Sequence, residues 1–194
     1  MTATTELTKK QAIVDSALGL FVEQGFQATS TASIARAAGV ATGTLFHHFP
    51  NKNALLEHLF ITIKQEFATA MTSAIKPEMS IEQQAKHLWL AAIEWALTQS
   101  DKQLFLQCYS MSPALALSVR HNVMHDTLGF MSELLEAGQA QGQIAMHPLP
   151  ILLEHCHGQY IAATRYFIEH PQDWQQPQYR AASEAIFWQS IAAG

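Results

Sequence analysis

A chain of 194 residues that is 48% hydrophobic and 14% charged can bury a core, which excludes a disordered or fibrous protein. Its net charge of −5 is unevenly spread: residues 1–52 carry four basic against three acidic side chains and the remainder seven against thirteen, so no strongly basic domain announces nucleic acid. Two cysteines, Cys108 and Cys156, are too few for a disulfide framework, no apolar run reaches about 18 residues, and nothing resembles a secretory signal; a cytoplasmic chain without a membrane partner is expected.

Met1 to Leu7 is polar and reads as a loose arm. From Thr8 to about Gln24, Ile13, Val14, Ala17, Leu18, Leu20 and Phe21 recur at spacings of three and four, as an amphipathic helix requires, and Gly25 closes it. Lys9 and Lys10 near its start face either a phosphate or solvent. Thr31 is the expected N-cap of a short helix that buries Ile34, Ala35 and Ala38. Gly39 then turns the chain at a positive φ before Val40 re-enters the core. A second short helix follows, from about Ala41 to His48, with Val40, Leu45 and Phe49 inward and Thr42, Gly43, Thr44, Phe46 and His47 outward. Its outer face of short hydroxyls and a glycine suits close approach to a major groove. Pro50 and Asn51 stop this helix and cap the next, which Lys52 opens. The joint spacing of alanine, turn glycine, valine and inward leucine favours a helix-turn-helix over an ordinary helical hairpin.

The helix from Lys52 is long, with Leu56, Leu59, Phe60, Ile63, Phe67 and Met71 inward as far as Pro77. Ser80 caps another that carries Ile81, Ala85, Leu88, Ala92 and Trp95. Asp101 to about Ser110 forms a shorter piece. Leu117 to Ala140 is a longer helix ending in a glycine-rich turn, Pro148 opens one to about His170, and a last one runs from near Pro177 to Ala192. No strand pattern or repeat emerges, so the fold class is all-α with about nine helices. The division expected is an N-terminal helix-turn-helix domain over residues 1–52 and a helical effector-binding and dimerisation domain over 53–194.

Thr31, Ile34-Ala35, Ala38-Gly39-Val40, Gly43-Thr44-Leu45, His47, Phe49, Lys52 and Leu55-Leu56, with Phe21 and Gly25-Phe26 upstream, resemble the DNA-binding signature of the TetR family of bacterial transcriptional regulators. The resemblance implies that Thr31, Thr42, Thr44, His47 and Lys52 contact an operator, with Gly43 leaving room for the backbone. It departs from the usual pattern at Ala41, where a serine is common, and at Phe46, where a tyrosine often offers its phenol to a phosphate. The later helices are similar to the family's second domain. This implies a homodimer built from the last two helices, a double-stranded operator of two-fold symmetry, and a small-molecule effector whose binding releases a repressor from DNA. The apolar residues Ile161, Ala162, Tyr166, Ala181, Ala182, Ala185, Ile186 and Trp188 independently exceed what a terminal helical pair needs.

Phe67, Trp95, Phe105, Tyr109, His121, His125, Met131, His155 and Tyr160 form the candidate effector pocket, with plain core packing as the alternative. His121 and His125, four apart on a helix, together with His155 and Cys156, leave open a metal- or redox-responsive regulator. Against it, His155, Cys156 and His157 diverge by about 100° per residue on a helix. No metal or other cofactor is expected. Enzyme motifs such as GxSxG or a phosphate loop are lacking, so no catalytic residue is assigned. A more distant alternative is a small-molecule binding module with a degenerate DNA-binding face.

Overall fold

The computed structural model describes residues 2–73 and 75–194, without the side chains of residues 2–7, His121, Met124, His125 and Asp126. Among the described residues the chain is all-helical: α1 (Thr2–Ala28), α2 (Thr31–Ala37), α3 (Thr42–His48), α4 (Lys52–Thr72), α5 (Ile81–Thr98), α6 (Ser100–Tyr109), α7 (Leu117–Ala140), α8 (Leu149–Glu169), the single turn α9 (Pro171–Trp174) and α10 (Pro177–Ile191). Packing divides them into two compact units, one holding residues up to Lys64 together with Ser100–Val123, the other Gln65–Gln99 with Met124–Gly194. The expected division at residue 52 was one of task. The packing division falls elsewhere because α4 continues without a break past Lys52, and because α6 packs on α1.

In the first unit the chain is helical from Thr2, so the expected loose arm at residues 1–7 is replaced from its second residue by the start of α1. The helix breaks at Gly25, whose φ of 79° and ψ of 162° lie in a region open to glycine. Thr29 closes the break by donating its hydroxyl to the carbonyls of Gly25 at 2.8 Å and Leu20 at 3.1 Å. Ser30, not Thr31, caps α2: its hydroxyl accepts from the Ser33 amide at 3.0 Å while Ser33 Oγ accepts from the Ser30 amide at 3.1 Å. Had Thr31 been the cap, the third helical position would be Ile34, which has no oxygen to complete that reciprocal pair. Gly39, with φ 66°, makes the turn, and the Val40 amide donates back to Ala35. Ile13, Ala17, Phe21, Ile34, Leu45, Leu55 and Leu56 are buried. On α6, Phe105 and Tyr109 pack against each other, and the Tyr109 hydroxyl donates to the Phe21 carbonyl at 2.9 Å.

The second unit is built on α5, α8 and α10. Ser80 and Gln83 form the reciprocal cap of α5, and Ile81, Ala85, Trp89 and Ile93 then share a core with Leu152, Cys156, Phe167, Phe187 and Ile191. Trp89 stacks on Phe187 with centroids 4.4 Å apart and donates its indole N–H to Ser183. Trp174 donates to the Glu94 carboxylate. After α7 the chain turns at Gly142, φ 68°, and Ile144 lies directly on Gly138, where a Cβ would come within 2.5 Å of its Cδ1. The Ala145 amide donates to Ile191 and the Ala193 amide to Gln143, closing a short antiparallel bridge. Among the described residues, no helix is long and apolar enough to cross a membrane.

Candidate nucleic-acid interface

Helix α3 is only seven residues long and is held from one side. Leu45 and Phe49 anchor it in the core, while Thr42, Gly43, Phe46 and His47 are exposed and Thr44 and Thr31 are half-buried. Phe46 leaves 46% of its surface in solvent. An apolar ring so exposed beside two threonines offers contact to a thymine methyl rather than a hydrogen bond. Lys9, Gly43, Thr44, His47 and His48 line a shallow hollow of about 310 Å³. The sequence left Lys9 open between phosphate and solvent and did not single out His48. The signal for His48 was its position four residues after Thr44, one turn along the same face.

Lys52 occupies a different place from the one expected of a phosphate contact. Its ammonium donates to the carbonyls of Phe26 at 2.6 Å and Thr29 at 2.7 Å, and stands 4.3 Å from the centroid of the Phe26 ring. Both carbonyls lie where α1 ends and the chain passes to α2, and the lysine supplies them with a donor. Six residues along the same helix, His58 packs on Phe49, which also carries Lys10 at 5.6 Å. Burial, and secondarily the Lys10 charge, lower the His58 pKa below the ordinary histidine value.

The nine pocket candidates are divided between the two units. In the second unit, Phe67 meets Trp95 at 4.9 Å and Tyr160 at 5.6 Å between ring centroids, and Met131 is half-buried. Phe105 and Tyr109 belong to the first unit's core, and His155 is exposed. The side chains of His121 and His125 lie outside the described residues. Cys156 is buried between the exposed His155 and His157, and burial pushes its thiol up to about 11, away from the reactive thiolate form. Among the described residues, no three histidine, cysteine or carboxylate side chains are gathered as metal ligands.

Of the residues expected between subunits, Ala162, Tyr166, Ala181 and Ile186 are exposed and Ile161, Ala185 and Trp188 half-buried. Ile186 is 65% exposed. Tyr166 stacks on His170 and donates its hydroxyl to Asp173 at 2.6 Å, which pushes its pKa up to about 12.

Residues 13–59 match the family described as bacterial regulatory proteins, tetR family. The chain is 29% identical over 147 residues to the HTH-type transcriptional repressor ComR of Escherichia coli strain K12, covering 71% of this chain and 69% of that one. It is 23% identical over 139 residues to an HTH-type transcriptional regulator, YhgD, of Bacillus subtilis strain 168, covering 71% and 73%. A crystal structure from Shewanella sp. PV-4, assigned to the tetR family of transcription regulators, superposes with a TM-score of 0.91 at 54% identity, over 96% of this chain and 99% of that one. With the signature lying on α1 to α4 and a solved relative matching nearly end to end, this chain belongs to the TetR family of DNA-binding transcriptional regulators, which are not enzymes.

Proposed function

We propose that the protein is a homodimeric repressor that holds a two-fold symmetric operator and is released by a small-molecule effector. The observation that carries the DNA face is the one-sided burial of α3: Leu45 is fully buried while Thr42, Gly43, Phe46 and His47 are exposed on seven residues. Thr31, Thr42, Thr44 and His47 supply hydrogen bonds to phosphates and base edges, Gly43 lets the backbone approach, and Phe46 contributes apolar contact. Lys52 supports this face by tying the end of α1 to the start of α4. The exposed apolar side chains of α8 and α10 support pairing of two copies, and the Phe67, Trp95 and Tyr160 rings support an effector site. The repressor named ComR, similar over most of its length, supports the sense of regulation.

Selection of bound duplexes from a random pool at moderate salt tests this reading. A recovered inverted repeat with half-sites about one helical turn apart is expected. A single unrepeated half-site would remove the dimer, and no enrichment by a folded protein would remove the DNA face. With the selected duplex in hand, a panel of charged and neutral small molecules is expected to contain at least one that lowers operator affinity.

A further inference from the structure

Phe46 stands apart from the other phenylalanines of this chain. Of the ten, seven are buried and two half-buried, and Phe46 alone is exposed, with 46% of its surface in solvent. On α3 it shares a flank with the exposed Thr42, four residues earlier, and it neighbours Gly43, three residues earlier. The other flank belongs to Thr44 and His48, which with Lys9, Gly43 and His47 line the shallow hollow, and Phe46 is not one of its lining residues. Gly43 serves no packing within the chain. Its φ is not positive, and no atom lies within 4 Å of the place a Cβ would occupy, although a glycine inside a helix costs stability relative to alanine. The room beside Phe46 is therefore open toward whatever approaches α3 from outside.

We propose that Phe46 is a specificity-determining residue that reads the 5-methyl group of a thymine in the major groove, once in each half of the operator. This rests on the DNA face proposed above and adds the base that it selects. A phenylalanine ring neither donates nor accepts a conventional hydrogen bond, so the donor and acceptor pattern of the base edges is invisible to it. The thymine methyl is the one apolar group that the four bases present in that groove. The open space at Gly43 lets the helix backbone settle toward the groove floor, which brings the neighbouring ring to the depth of the base edges. The lysine and imidazoles around the hollow meet phosphate instead. Covering the methyl with the ring takes two apolar surfaces out of water at once.

The test uses the intact protein and the duplex it selects from the random pool. Each thymine of the half-site is replaced in turn, symmetrically, by deoxyuridine, which lacks only the methyl, and fluorescence anisotropy reads affinity. At one thymine position the replacement is expected to weaken binding on the order of fourfold for each half-site, and so on the order of fifteenfold for both, as loss of one buried methyl implies. Phe46→Ala should bind the thymine and deoxyuridine duplexes equally. Where that T·A pair is changed to C·G, methylating the cytosine at C5 should return the same factor to the unaltered protein and nothing to Phe46→Ala. Circular dichroism establishes that the variant is folded. Should it not fold, the deoxyuridine and methylcytosine duplexes with the unaltered protein decide. A selected half-site without thymine, indifference of the unaltered protein to every deoxyuridine, or the full methyl preference retained in folded Phe46→Ala overturns the proposal. If Phe46→Ala loses affinity while the unaltered protein is indifferent to the methyl, the ring lies on the sugar-phosphate backbone; the proposal falls and the DNA face stands. Failure of the folded protein to select any duplex removes both.

Discussion

Lys52 is where a residue's expected role and its observed contacts part. A lysine opening the helix after a recognition helix is well placed for a phosphate, but two carbonyls at the end of α1 already hold its ammonium at 2.6 and 2.7 Å. Hydrogen bonds to a charged donor contribute about 1.5–3 kcal/mol each when intact, less at a half-buried site. Lys52→Ala is therefore expected to lower the melting temperature markedly. Measured below that temperature, the slope of operator affinity against salt should be close to that of the unaltered protein, where loss of a phosphate contact would flatten it by about one ion. His58 offers a second test. Its pKa is lowered in the folded state, by burial and then by Lys10, so below the ordinary value of 6.5 the unfolded chain binds the proton more readily. Stability should fall as pH drops from 6.5, and His58→Gln should remove that part of the fall in a series of thermal melts. For Lys64, buried in α4, the window lies higher. With a folded pKa of about 8 against 10.5 unfolded, the unfolded chain binds more protons between those values, so stability should rise across that range. The gain is about 3 kcal/mol if the whole shift is realised. Lys64→Met should melt at a higher temperature at neutral pH and lack this rise.

At the scale of helices, punctuation residues made the sequence readable. The expected span of α7 from Leu117 to Ala140 agrees with the structure, and Pro148 and Pro177 stand just before or at the first residues of α8 and α10, since proline tolerates a first turn and little else of a helix. Gly39 turns at the positive φ its place demanded. The cap of α2 was missed because hydrogen-bond partners are chosen by geometry the residue pattern does not contain. Ser30 and Thr31 are both good caps, and only the return bond from Ser33 decides between them. Ser30→Ala is expected to cost about 1 kcal/mol in a urea or thermal unfolding curve, whereas Thr31→Ala should change stability much less. The single turn α9 between Glu169 and Pro177 was too short to carry a periodic signal. At the DNA face, the outward set on α3 was legible because a helix anchored by Leu45 and Phe49 has few other ways to lie. For the pocket set the pattern decides less, because aromatic residues in an all-helical chain read alike whether they lie in a core, as Phe105 and Tyr109 do in the first unit, or meet one another, as Phe67 does with Trp95 and Tyr160 in the second.

At the scale of the whole molecule, the shortness of α3 sets the main demand. Seven residues can reach only a few base edges, so selecting one site among many requires two such helices acting together. In the proposed dimer, covering of α8 and α10 by a second copy would supply the second helix and would remove from water an exposed set that includes Tyr166 and Ile186. Ile186 is the informative position. Its side chain is 65% exposed in one chain, so a glutamate there costs the isolated fold little, yet across a two-fold axis it would bring two carboxylates into an apolar contact. Ile186→Glu is expected to keep the circular dichroism spectrum while shifting the sedimentation profile from dimer to monomer at micromolar concentration. Operator affinity should fall by at least tenfold, and the slope of its logarithm against that of salt should drop to about half, because one set of phosphate contacts is then made instead of two. A variant that remains dimeric and binds with an unchanged salt slope would place the subunit contact away from this face.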